Sequence, residues 1–180
     1  MELHERELFE QATLPHLDAA YNLARWLTRD SQDAQDVVQD ACVRALKYLG
    51  SLERSDARAW FLAIVRNAFY DWVGRNRPAE IVHDEDAVDA AVDAASSSPE
   101  QAAVRNAELR VLSDAVAALP VQYREVLILR ELEELSYKEI ASIADIPVGT
   151  VMSRLARARA LLQRSPLLHA IRGQFTRSAS

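Results

Sequence analysis

Apolar residues recur at intervals of three and four along nearly the whole chain, and that spacing predicts helices. In the first half the periodic stretches run over Glu5–Gln11, Pro15–Leu27, Asp33–Leu49 and Ala57–Gly74. In the second half they run over Pro99–Ala118, Gln122–Leu132, Tyr137–Ala144 and Gly149–Gln163. No alternating, strand-like pattern competes with them. Between the two sets lies PAEIVHDEDAVDAAVDAASSSPE, bounded by prolines and rich in Ala, Asp and Ser, a composition typical of linkers. The pattern predicts an all-α protein of two small helical domains joined by an acidic tether. The divisions fall at 1–78, 79–104 and 105–165, with a tail over 166–180 whose order the pattern leaves open.

The stretch from Ser136 to Leu162 is the most specific. Ser136 followed by Glu139 makes a capping box and predicts a helix starting at Tyr137. Asp145-Ile146-Pro147 ends that helix, because proline removes a donor and biases the residue before it away from helical geometry. Val151, Leu155, Ala158 and Leu162 then share one face of a second helix, with Thr150, Ser153, Arg154, Arg157 and Arg159 largely off it. Ala141, Asp145 and Val151 stand at the close-crossing, turn and locking positions of a helix-turn-helix. Asp145 replaces the usual glycine, and aspartate tolerates left-handed geometry. The plain alternative is a helical hairpin with a solvated basic face. Against it, six arginines and no acid follow Ile146, which points to duplex DNA.

Two helices of the first half carry polar features beyond their packing stripes. In the third, Asp30 or Ser31 can cap the start and Gly50 the end, with Val37, Val38, Ala41, Ala45, Leu46 and Leu49 facing inward. Asp36, Gln39, Asp40 and Arg44 are left outside, where a solvated face is the ordinary explanation. In the fourth helix, Leu62, Val65, Phe69 and Trp72 form the packing stripe. Trp60, Asn67 and Tyr70 lie off it, interleaved with Arg58, Arg66, Arg75 and Arg77. Aromatic faces beside cations suit single-stranded DNA, since each stacked base contributes about 1–3 kcal/mol.

Composition narrows the classes. The 180 residues are 49% hydrophobic and carry a net charge of −6, which looks wrong for a DNA binder until it is divided along the chain. Residues 1–78 hold ten basic and twelve acidic side chains, 79–100 hold no basic and seven acidic, and 101–180 hold eleven and eight. The acid is concentrated in the tether. The charged start MELHERELFEQ carries no secretory leader and no apolar run spans a bilayer, so a cytoplasmic protein without membrane insertion is expected. Cys42 lies among small apolar residues as a core thiol. His4, His16, His83 and His169 lack metal-ligand spacing, and no nucleophile-base pair or phosphate loop stands out, so neither cofactor, metal nor enzymatic activity is expected.

Three runs, DAQDVVQDACVRAL (33–46), AWFLAIVRNAFYDW (59–72) and LPVQYREVLILRELEELSYKEIASIADIPVGTVMSRLARAR (119–159), together resemble the extracytoplasmic-function sigma factors of the sigma-70 family. The resemblance implies a sigma region 2 domain and a sigma region 4 helix-turn-helix. Its partners are core RNA polymerase, promoter DNA and an anti-sigma factor. It assigns Asp36, Gln39 and Asp40 to polymerase docking, and Trp60, Arg66, Asn67, Tyr70, Arg75 and Arg77 to capture of the melted minus-ten strand. It assigns Thr150, Ser153, Arg154, Arg157 and Arg159 to the minus-thirty-five element. Met152 departs from the pattern, where many members carry a basic residue. A helix-turn-helix activator would account for 101–180 alone, and a sigma-mimicking partner-switch protein would keep the partner surfaces without promoter contacts.

Overall fold

The structure is a computed structural model that describes residues 3–52, 56–77 and 100–168. Side chains are described from residue 4, and in the last block from residue 107. The first helical unit holds α1 (Leu3–Thr13), a 3-10 turn (Leu14–His16), α2 (Leu17–Thr28), α3 (Ser31–Lys47), a second 3-10 turn (Leu49–Ser51) and α4 (Ala57–Asn76). The second holds α5 (Glu100–Ala117), α6 (Val121–Glu131), α7 (Tyr137–Ala144) and α8 (Val148–Arg164). The predicted linker through residue 99, and Ile171 and Phe175 of the tail, lie outside the described residues.

Local chemistry fixes the helix ends. Thr28 closes α2, Arg29 turns left-handed at φ 61°, and the Asp30 carboxylate accepts from the backbone of Gln32 at 2.8 Å and Asp33 at 3.0 Å. That cap satisfies two of the orphan donors of α3. The buried face of α3 is Ala34, Val37, Ala41 and Ala45, small residues that let α2 and α4 approach closely. Leu46 is exposed and Val38 and Leu49 only partly buried, so the predicted stripe is too wide. Each helical residue advances by about 100°, which carries Leu46 past the edge defined by Ala45. Gly50 is not a left-handed cap either: α3 ends at Tyr48 and the chain passes through a 3-10 turn with no glycine at positive φ among the described residues.

Leu23, Leu27, Val37, Phe61, Leu62, Val65 and Phe69 fill the first core, and Leu129, Leu135, Ile140, Val151 and Leu155 the second. The two cores are continuous. α2 packs on α6 and α4 on α7, and the buried residues of both units form one cluster. α6 lies between them, and its residues from Tyr123 to Leu129 are all buried. The Cys42 thiol is half-buried, and desolvation pushes its pKa up.

α7 opens with the predicted capping box, in which Glu139 N–H donates to Ser136 Oγ at 3.2 Å and Ser136 N–H to Glu139 Oε2 at 2.7 Å. It closes on Asp145 at φ 52° and ψ 50°. A left-handed non-glycine residue costs about 1–2 kcal/mol before local bonding offsets part of it. Asp145→Gly is therefore expected to raise the thermal midpoint of the chain and Asp145→Val to lower it. Calorimetric melts of the three proteins check this, and equal midpoints for the glycine and valine variants would refute it.

Candidate nucleic-acid and polymerase-binding faces

The predicted second helix of the helix-turn-helix, α8, is built as its sequence implies. Pro147 precedes its first turn, where its carbonyl accepts from Thr150 N at 3.0 Å, and Val151, Leu155 and Ala158 are buried against α6 and α7. The opposite face carries Ser153 and Arg157, both exposed, with Met152 and Val148 exposed beside them. Thr150 is half-buried, and its carbonyl accepts from Ser153 Oγ at 3.0 Å. Arg159 pairs with Glu131 of α6 at 2.8 Å. Arg154 is half-buried, and its charge acts on both Glu125 and Tyr70.

On α4 the expected DNA residues divide. Asn67 is exposed. Trp60 is half-buried and its indole N–H donates to Ser51 Oγ at 3.2 Å. Arg75 and Arg77 lean back toward α3, Arg77 bonding Asp33 at 3.1 Å and lying over the Trp72 ring at 5.3 Å, and Arg75 approaching Asp40 at 3.9 Å. Arg66 and Tyr70 point into the seam between the two helical units. There the Arg66 guanidinium, stacked over the Tyr70 ring at 4.6 Å, donates to Glu125 Oε1, and the Tyr70 hydroxyl donates to Glu125 Oε2 at 3.2 Å.

On α3, Asp36 and Gln39 are exposed, whereas Asp40 is half-buried beside Arg44, which it approaches to 2.8 Å. Arg44 also binds Asp71 of α4. The predicted docking triad thus has two open members and one engaged in ion pairs within its own unit.

The sequence reading missed the charges that join the units. Glu125 has no exposed surface, Arg124 is 3% and Glu133 6% exposed. Arg124 donates to the carbonyls of Ala117 at 2.7 Å and Leu119 at 2.9 Å, at the end of α5, and to that of Leu27 in α2 at 3.2 Å. Cations suit the negative ends of helices. Glu133 binds Arg58 of α4 at 2.7 Å. Burial raises the pKa of Glu125, with Arg66 pulling it the other way, and burial with the facing Glu125 carboxylate raises that of Tyr70. A pattern signal existed, since VQYREVLILRE is apolar on two sides, but it named no partner. Among the described residues no group of side chains is placed to hold a metal, and no helix is long and apolar enough to cross a membrane.

Two family models match the chain, sigma-70 region 2 over residues 14–78 and sigma-70 region 4 over 109–162. The RNA polymerase sigma-H factor of Pseudomonas aeruginosa is 34% identical over 173 residues, covering 91% of this chain and 90% of the relative. The ECF RNA polymerase sigma factor SigM of Bacillus subtilis is 32% identical, covering 82% and 88%. Among solved structures, the sigma factor RpoE in complex with the anti-sigma factor NepR from Bartonella quintana aligns at a TM-score of 0.66 with 29% identity. That alignment covers 89% of this chain and 96% of the other. CnrH in complex with the cytosolic domain of CnrY aligns at 0.61 with 26% identity, covering 86% and 84%.

The capping box makes the recognition motif sensitive to acid. Hydrogen bonds from the Ser136 side chain and backbone hold Glu139 below the usual carboxylate range. A group with a lowered folded pKa stabilises above its unfolded pKa of about 4.3, and loses that contribution as pH falls through the folded value. Glu139→Gln is expected to be less stable than the native chain near pH 7, with the gap closing between about pH 5 and pH 3. Denaturant titrations across that window check it, and a constant gap would contradict it.

Proposed function

The chain belongs to the extracytoplasmic-function group of the sigma-70 family, whose members are transcription initiation factors rather than catalytic enzymes, and from that premise we propose how it divides promoter recognition between its two units. Residues 1–78 dock on core RNA polymerase and handle the minus-ten element, 79–104 form the tether, 105–165 read the minus-thirty-five element, and 166–180 form a tail. Asp36 and Gln39, with Asp40 at the edge, contact the polymerase. Asn67, Trp60, Arg66 and Tyr70 capture the melted strand, with Arg75 and Arg77 near its phosphates. Thr150, Ser153, Arg154 and Arg157 face base edges, and Arg159 a phosphate. The protein performs no covalent chemistry: binding unstacked bases stabilises the open strand. It acts in the cytoplasm, with the polymerase, under control of an anti-sigma factor. One solved neighbour is a sigma factor bound to an anti-sigma factor, and the other is bound to a cytosolic partner domain.

One observation supports this reading above the others. Asp36 and Gln39 on α3, Asn67 on α4, and Ser153 and Arg157 on α8 are exposed, while the other face of each of these helices is buried. The polar side of each helix is therefore not used for packing. Runoff transcription with core polymerase on a genomic promoter library tests the reading as a whole. Specific transcripts are expected, and stable polymerase binding without any transcript would favour a sigma mimic.

Two finer outcomes follow at named residues. Asp36→Lys is expected to weaken core binding about tenfold, roughly 1.4 kcal/mol, in a fluorescence competition assay. Asp36 is the cleaner probe, because lysine at Asp40 would also meet Arg44 and Arg75. In the holoenzyme, Arg157→Ala is expected to cost about 1–3 kcal/mol on the cognate minus-thirty-five element and to relax preference at one base. Arg159→Ala should instead weaken all sequences alike and lower the salt slope by about one. Even losses across a panel of single-base variants for Arg157→Ala would remove it from base reading.

A further inference from the structure

We propose that Glu125 makes the second helical unit a competitor of promoter DNA within the same chain, its carboxylate occupying Arg66 and Tyr70 in the place of a DNA phosphate and holding the free protein closed. The proposal rests on the assignment of those two residues to promoter contacts. The seam itself is independent of that assignment. Glu125 is fully buried on α6, and its two oxygens are taken by the Arg66 guanidinium and the Tyr70 hydroxyl of α4. Arg154 of the recognition helix acts on the same carboxylate.

The chemistry matches what it displaces. A carboxylate and a phosphate diester both present anionic oxygens to a guanidinium, and the Arg66 side chain is only 16% exposed in the seam. While it holds Glu125 it is not available to a strand. Two further contacts cross the same seam, Arg58 to Glu133 at 2.7 Å and Arg124 to the Leu27 carbonyl at 3.2 Å. Asn67, Ser153 and Arg157 stay exposed, so the closed chain retains part of its polar surface and lacks the cations at its centre. A buried ion pair contributes little net stability, because desolvation cancels much of the attraction. The closed form is therefore specific without being so stable that polymerase and promoter cannot open it.

The experiment uses the full chain with Cys42→Ser, labelled with a donor and an acceptor at Asn22→Cys and Ser142→Cys, both exposed positions. The free protein is expected to show efficient energy transfer, and Glu125→Gln, which keeps the shape and removes the charge, to lower it. Glu125→Gln should also raise the affinity of the free factor for a single-stranded minus-ten oligonucleotide about tenfold, as expected when most of the population was held in the closed form. That gain should vanish in the Arg66→Ala background. Runoff transcription at saturating core polymerase should be unchanged by Glu125→Gln. Circular dichroism controls for folding, and if Glu125→Gln unfolds, Glu133→Gln, which releases Arg58 instead, is held to the same predictions for transfer and affinity. Unaltered transfer and affinity in a folded variant would overturn the proposal. So would a gain that persists without Arg66. Loss of transcription by the native chain would instead count against the initiation role itself.

Discussion

A helix with no side facing solvent cannot carry an arginine and a glutamate at its centre unless other elements supply their partners, since an isolated buried charge is far too costly to keep. α6 is such a helix, and Arg124 and Glu125 are those residues. Glu125 finds its partners in the other helical unit, Arg66 and Tyr70 of α4, and Arg124 divides its bonds between carbonyls at the end of α5 and that of Leu27 in α2. The arrangement of the two units follows from that requirement. Apolar burial brings α2 and α4 onto α6 and α7 without direction, and the hydrogen-bonded charges select the register.

This register sorts the polar residues into three populations. Those on the outer faces, Asp36, Gln39, Asn67, Ser153 and Arg157, meet solvent. Arg66 and Tyr70, at the seam, are committed to it by their bonds to Glu125. Arg75 and Arg77 form a third group, resting on carboxylates of α3. The net charge of the chain says little about DNA affinity in this conformation, because much of its cationic surface is neutralised internally by particular acids.

What was legible in the sequence was local. α7 began at the capping box and ended at Asp145, and α8 began after Pro147, as those signals require, because they act over a few residues and no tertiary contact overrides them. α4 was found as a helix with its stripe of Leu62, Val65 and Phe69. Leu46 and Gly50 were misassigned, since an α3 face made mostly of alanine leaves the width of its stripe ambiguous and a 3-10 turn accommodates glycine without using its freedom. The seam was not legible. Arg66 and Glu125 are 59 residues apart, and the tether between them has no pattern relating one unit to the other. A charge in an apolar helix signals that a partner exists and does not say which.

The single continuous cluster of buried side chains has a bearing on how the chain comes apart. Two modules on a string melt independently, each with its own enthalpy and midpoint. Modules that share a core lose it together, so the closed chain unfolds as one cooperative block and its calorimetric trace describes neither half alone. During synthesis the first unit leaves the ribosome with Leu23, Phe61 and Phe69 already able to pack. The second then has that surface available as a template to condense on.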